Sequence, residues 1–133
     1  MRVVVVDDDE TIRRLLGVVL PLEGIDVVGQ ADDGVGALEE VARLAPDGVV
    51  LDLRMPGLDG WETTRRLHER HPATRVVVYT SEAPGRTAPL VDLGAHAVVR
   101  KPAGGAELAR ALLGDDLRAT ATVNRDLAPG TER

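Results

Sequence analysis

The 133-residue sequence contains no cysteine and no phenylalanine. The first absence excludes a disulfide framework, a thiolate metal site and a cysteine nucleophile, so the fold has to stand on its core alone. Aromatic residues are reduced to Trp61 and Tyr79, too few for the stacking platforms that hold bases or sugars, and the core must be aliphatic. Basic residues are outnumbered: 16 Lys and Arg against 22 Asp and Glu give a formal charge of −6, with no basic block anywhere. Direct nucleic-acid binding and adhesion to an acidic membrane are disfavoured on that count. No apolar run approaches the roughly 18 residues of a membrane span, and Met1-Arg2 leads into Val3–Val6 without a signal-peptide layout, which points to a cytoplasmic protein.

What the chain does have is short runs of valine. Val3–Val6, Val49–Leu51 and Val76–Tyr79 are uninterrupted by polar residues, the signature of strands buried on both faces of a parallel sheet. Amphipathic stretches lie between them. Thr11–Leu22 carries Ile12, Leu15, Leu16, Val19 and Leu20 on one stripe, and Val35–Leu44 carries Val35, Leu38 and Val41, so a βαβα alternation results. Weaker strands at Ile25–Gly29 and Ala97–Val99, and helices at Trp61–Arg70 and Ala106–Leu113, complete five βα units. Gly24, Pro46, Pro72 and Gly94 punctuate the helix ends. Between Thr80 and Gly94 the segment holds Pro84, Gly85 and Pro89; a short fourth helix of one to two turns from Pro89 is expected, because proline fits only a first turn. The pattern predicts an α/β fold with a doubly wound, five-stranded parallel sheet. The length suits one domain, residues 1–113, followed by a C-terminal tail or linker stub, 114–133, expected to be disordered.

In such a sheet the functional crevice lies beyond the carboxyl ends of the strands. Asp7-Asp8 follow the first strand, Asp52 the third, Thr80-Ser81 the fourth and Lys101 the fifth. If the first, third, fourth and fifth strands are neighbours, three carboxylates, a hydroxyl and an ammonium converge there. Carboxylates at close range repel, and Lys101 supplies only one compensating charge, so a hard divalent cation with oxygen ligands is expected; Mg²⁺ suits it. A carboxylate beside such a cation and a lysine has the components to accept a phosphoryl group by in-line transfer, giving an acyl phosphate. Asp9 and Asp59 read instead as helix N-caps. His68, His71 and His96 lack ligand spacing and read as solvated, as do the pairs Arg13-Arg14 and Arg65-Arg66.

At VVVVDDDETIRRLL, VVLDLRMPGLDGWE, VVVYTSE and GAHAVVRKP, four motifs in order across Met1–Leu113, the sequence resembles the CheY-like receiver domain of two-component response regulators. The resemblance implies a flavodoxin-like (βα)5 arrangement with strand order 2-1-3-4-5, and that Asp52 is phosphorylated by a histidine kinase. It also implies that Asp7, Asp8, Asp52 and the backbone carbonyl of Arg54 bind Mg²⁺, Asp8 the more direct of the first two. Thr80 and Lys101 would hold the phosphoryl oxygens, and a cis bond before Pro102 would aim Lys101 inward. VVGQADDGVGALEEV and the residues after Asp52 look most like receivers of LuxR/NarL-type transcription regulators, which implies an output domain or partner protein. The fourth helix, fifth strand and fifth helix would offer a homodimer face.

Two positions depart from the family pattern. Val98 stands where an aromatic residue usually precedes the lysine by three, and stiff valine has no ring to swing inward. Ser81 replaces a small Ala or Gly after the hydroxyl residue, and its hydroxyl would narrow the route of attacking water. Signalling is therefore expected to pass through the short fourth helix. Arg54 and Glu82 are expected to pair across the pocket mouth. The rival reading is a phosphorylation-independent pseudo-receiver, an interaction module only. A flavodoxin-like cofactor binder is opposed by the missing glycine-rich phosphate loop and the scarcity of aromatics. In the receiver reading the chain is no enzyme beyond its own phosphorylation and dephosphorylation.

Overall fold

The computed structural model describes residues 1–114. The element order is β1 (Arg2–Val6), α1 (Glu10–Leu22), β2 (Asp26–Ala31), α2 (Gly34–Leu44), β3 (Gly48–Leu51), α3 (Gly60–Arg70), β4 (Arg75–Thr80), α4 (Pro84–Thr87), α5 (Leu90–Leu93), β5 (Ala97–Arg100) and α6 (Gly105–Leu112). All strand pairs are parallel, and the sheet order is β2-β1-β3-β4-β5. The expected doubly wound arrangement is formed. The expected tail falls almost wholly outside the described residues.

The period of two along each strand divides the core between the faces of the sheet. Val3, Val5, Val50, Val77 and Tyr79 face α1 and α6, meeting Leu16, Leu20, Leu108 and Leu112. Val4, Val6, Val49, Leu51, Val76 and Val78 face the other way, meeting Ala37, Val41, Leu67 and Leu90. Both cores are predominantly aliphatic, and each fully buried valine or leucine contributes about 1.5–3 kcal/mol relative to exposure. This is why valine runs without polar alternation suffice here.

Several boundaries differ from the sequence reading, each for a physical reason. β2 runs to Ala31 because the register against β1 slips between Val3 and Val4, adding one residue on the β2 side. Such a bulge leaves no local signal. Leu15 and Val35, assigned to apolar stripes, are exposed, while Leu16, Leu20, Ala37 and Val41 carry the packing. The fourth helix is two single turns. Pro84 opens α4 at its N-terminus, and Pro89 precedes α5 as its cap residue, so each proline starts a turn of its own. Asp9, Asp33 and Asp59 cap α1, α2 and α3, each accepting a backbone N–H from the first turn.

Candidate functional site

Sheet register brings the candidate residues to one edge. β1 and β3 are paired up to Val6 opposite Leu51, so the next residues, Asp7 and Asp52, leave the sheet at the same level. The Asp52 N–H continues the ladder to the Val6 carbonyl at 2.9 Å, and the Lys101 N–H binds the Thr80 carbonyl at 2.9 Å. Gly60 lets α3 begin directly beneath this point. A Cβ there would stand 2.4 Å from Leu53 Cα and 2.6 Å from the Asp52 carbonyl oxygen, so only glycine permits the approach. The sequence reading took Asp59-Gly60 as a turn and cap, and missed this packing role.

Asp7 and Asp52 are 2% and 6% exposed, and Asp8 is exposed. The three offer carboxylate oxygens within 4.8 Å of one another. Lys101 reaches in with Nζ 2.8 Å from Asp7 Oδ2 and 3.5 Å from Asp52 Oδ1, and its bond to Pro102 is cis. The Tyr79 ring lies 5.5 Å from the ammonium. Burial and then the Asp7 charge push the Asp52 carboxyl up, against Lys101 and the N–H groups of Arg54 and Leu53. Burial opposes the charge on Lys101, yet the hydrogen bond to Asp7 and the charges of Asp52 and Asp7 outweigh it, and the ammonium is raised. Three carboxylates and one ammonium leave two formal negative charges in a half-enclosed space. An all-oxygen donor set of that charge fits a hard divalent ion such as Mg²⁺.

Thr80 is buried at the end of β4, and its hydroxyl accepts the Glu82 N–H at 3.0 Å. Arg54 and Asp8 line an open cleft of about 570 Å³ together with Met55, Pro56, Trp61 and Arg86. The expected pairing of Arg54 with Glu82 is formed, and Arg86 joins it with Nε 3.5 Å from the other carboxylate oxygen. The hydrogen bond from Arg54 holds the Glu82 carboxyl below its ordinary range. Val98 is half-buried and packs against the core shared by β3 and β4.

Several other side-chain engagements differ from the sequence reading. Arg13, read as part of a solvated face, donates to the Asp7 carbonyl at 2.7 Å. Arg14, Arg65 and Arg66 do pair with glutamates on their own helices. His96, also read as solvated, is half-buried and accepts the Val76 N–H on Nδ1 at 3.0 Å. Tyr79 tethers the loop after Lys101: its hydroxyl accepts the Ala103 N–H at 3.0 Å and lies 3.3 Å from the Ala103 carbonyl oxygen. A polar-tipped aromatic in a valine run was the one available signal, since a buried phenol needs a partner.

Known proteins with this arrangement were found by sequence and by structure. The response regulator receiver domain model matches residues 3–113. Response regulator GacA of Pseudomonas viridiflava is 40% identical over 115 residues, which span 84% of this chain and 53% of that protein. Protein-glutamate methylesterase/protein-glutamine glutaminase 5 of Myxococcus xanthus is 47% identical over 105 residues, 77% of this chain and 30% of that protein. The chain thus spans about half or less of the length of these curated relatives. Among solved structures, the response regulator domain of Thermotoga maritima CheB superposes with a TM-score of 0.75 at 32% identity, covering 93% of this chain and 98% of that one. Among the described residues no helix is long and apolar enough to cross a membrane. With a receiver model spanning the whole described sheet and relatives at this identity, the chain belongs to the response regulator receiver domain family.

Proposed function

We propose that this chain is a phospho-accepting receiver, in which Asp52 takes a phosphoryl group from the phosphohistidine of a histidine kinase in the presence of Mg²⁺. The observation that carries the reading is the meeting of Asp7, Asp8, Asp52 and Lys101 at one end of the sheet. An Asp52 oxygen forms a bond to phosphorus while the phosphorus–nitrogen bond to the donor histidine breaks. The imidazole leaves, and an acyl phosphate results. Asp7, Asp8, Asp52 and the Arg54 backbone carbonyl would hold the metal, which when bound supplies neutralising charge to the phosphoryl oxygens. Lys101 supplies a further fixed positive charge, already aimed at Asp52 by its bond to Asp7. Thr80 offers its hydroxyl proton to a phosphoryl oxygen, while the hydroxyl oxygen itself accepts the Glu82 N–H.

Any movement of that hydroxyl toward a phosphoryl oxygen carries the Glu82 N–H with it and so couples the site to its surroundings. Glu82 leads directly into α4, and the two single turns α4 and α5 have no long helix to stabilise them. Phosphorylation is proposed to alter the surface of α4, α5 and β5, and with it contacts to an output domain, a partner protein or a second copy across α4, β5 and α6. Amide exchange over residues 82–93 with and without beryllofluoride tests the route; identical protection in both states would reject it. The chain's only chemistry would be its own phosphorylation and dephosphorylation. Val98 favours a second reading, a pseudo-receiver that never carries phosphate, because a stiff valine packed in the core cannot relay a movement of Thr80. Acetyl phosphate with Mg²⁺ separates the two. The first reading predicts a phosphoryl mass increment that Asp52→Asn abolishes; the second predicts none.

A further inference from the structure

Tyr79 is the chain's only tyrosine and interrupts the valine run of β4. It belongs to the core that faces α1 and α6, together with Val77, Val99 and Leu108, and is 4% exposed. A phenol buried among aliphatic side chains gives up its water, so its hydroxyl must find protein partners. Both partners are on one residue: the hydroxyl accepts the Ala103 N–H at 3.0 Å and donates to the Ala103 carbonyl at 3.3 Å. A hydroxyl has the lone pairs and the proton to do both at once.

Ala103 lies two residues beyond Lys101, in the short connection between β5 and α6. That connection has few means of holding itself. Pro102 has no N–H, and Gly104-Gly105 has no side chains with which to grip the core. The Lys101 N–H is bonded to the Thr80 carbonyl at 2.9 Å, so Thr80 fixes one end of the step from Lys101 to Ala103 and the Tyr79 hydroxyl fixes the other. Two consecutive residues of β4 thus clamp the backbone from which the lysine side chain springs. The Tyr79 ring adds a further restraint, with its centre 5.5 Å from the ammonium. Placement matters here because lysine carries its charge on a flexible four-carbon stem, whereas a charge lowers a barrier only if it already stands where negative charge develops. Nζ is held 2.8 Å from Asp7 Oδ2 and 3.5 Å from Asp52 Oδ1. We propose that Tyr79 is a positioning residue for Lys101: its hydroxyl fixes the backbone beneath the lysine and its ring limits where the ammonium can go. The hold on Lys101 belongs to the unphosphorylated chain; its effect on phosphoryl transfer rests on the phospho-acceptor reading.

Lys101 is the only lysine in the sequence, so the full chain labelled with ¹³Cε-lysine gives one lysine Cε signal that needs no assignment. In the parent the two Hε protons should be resolved from each other, as in a side chain held in one rotamer. In Tyr79→Phe, which removes the hydroxyl alone, they should move toward a single averaged shift, and Tyr79→Leu, which takes the ring as well, should complete the averaging. Thr74→Val controls for lost stability: it removes a buried hydroxyl, bonded to the Pro46 carbonyl at 3.3 Å, just before β4, and should leave the lysine signal as in the parent. Thermal melts confirm that each variant is folded. With acetyl phosphate at saturating Mg²⁺, phosphorylation of Tyr79→Phe should be slower by about two- to tenfold, the scale of one hydrogen bond. Its Mg²⁺ affinity, read from Trp61 in the cleft beside Asp8, should not weaken. The proposal is overturned if the lysine signal is the same in Tyr79→Phe as in the parent, if Thr74→Val alters it as much, or if Mg²⁺ affinity falls as far as the rate. If the signals differ as expected while no protein takes up phosphate, the hold on Lys101 stands and the phospho-acceptor reading fails.

Discussion

Replacing Asp8 by asparagine should raise the melting temperature in the absence of divalent ions and blunt its response to Mg²⁺. The carboxylate oxygens of Asp7, Asp8 and Asp52 lie within 4.8 Å of one another. Two unit charges at that distance repel by about 0.9 kcal/mol in water and about 3.5 kcal/mol at a near-surface effective dielectric. Asp8 is exposed, so the smaller value applies, and physiological salt roughly halves it. With two carboxylate neighbours and a partial offset from Lys101, removal of the Asp8 charge should stabilise the metal-free protein by about 0.5–1 kcal/mol, about 2–4 °C in Tm. The order should reverse with metal. At tenfold the dissociation constant, Mg²⁺ stabilises a single site by about 1.4 kcal/mol, about 6 °C, and a variant lacking one ligand carboxylate should gain less than half of that. Calorimetric melts of both proteins near neutral pH, with and without MgCl₂, measure all four values. A metal-free Asp8→Asn protein that melts below the parent, or an equal Mg²⁺ response in both, would refute the electrostatic account of the site.

Other consequences follow from the geometry. Glu82→Ala removes the partner of Arg54 at an exposed mouth, so the lifetime of the acyl phosphate, followed by loss of label, should change by no more than several-fold; a change of orders of magnitude would assign the pair a direct part in hydrolysis. The Glu62 carboxyl is drawn down to about 2 by hydrogen bonds from Arg65 and Arg66. A depressed folded value means that its contribution is present above the ordinary 4.5 and is lost only as pH falls towards 2. An NMR titration of the Glu62 carboxyl should show the low midpoint, and one near the ordinary value would contradict the pairing. Gly94 ends α5 at φ 112°, and a Cβ there would lie 2.4 Å from His68 Cβ. Gly94→Ala should cost more than about 1 kcal/mol in chemical unfolding, and His68→Ala, which removes the ring but keeps the Cβ at 2.4 Å, should recover only a minor part of the loss.

The sheet and the site were legible to different depths and for different reasons. Valine runs buried on both faces state their environment locally, and the polar residue that ends each run marks the crevice; Asp7, Asp52 and Thr80 emerged from that rule, while Lys101 lies one residue beyond the Arg100 that ends its run. The caps Asp9 and Asp59 were legible because a short carboxylate before a helix satisfies orphan N–H groups. What failed to show were features set by how elements pack rather than by local pattern. The extra residue in β2 depends on how it is gripped by β1, and the engagement of Arg13 with the Asp7 carbonyl depends on how α1 leaves β1. The split of the fourth helix was half visible: two prolines were noticed, but only one was allowed to start a turn. The Arg54–Glu82 pairing was reached from spacing relative to Asp52 and Thr80, whereas Arg86, four residues after Glu82, joins it through the turn of α4.

The most direct measurement of the central claim is reductive trapping. The protein is incubated with acetyl phosphate and Mg²⁺, reduced with borohydride, digested and mapped by mass spectrometry, since an aspartyl phosphate is reduced to homoserine. The account predicts homoserine at position 52, dependent on donor and metal and absent from Asp52→Asn. No reduced residue at all, or one at Asp7 or Asp8 instead, would contradict it.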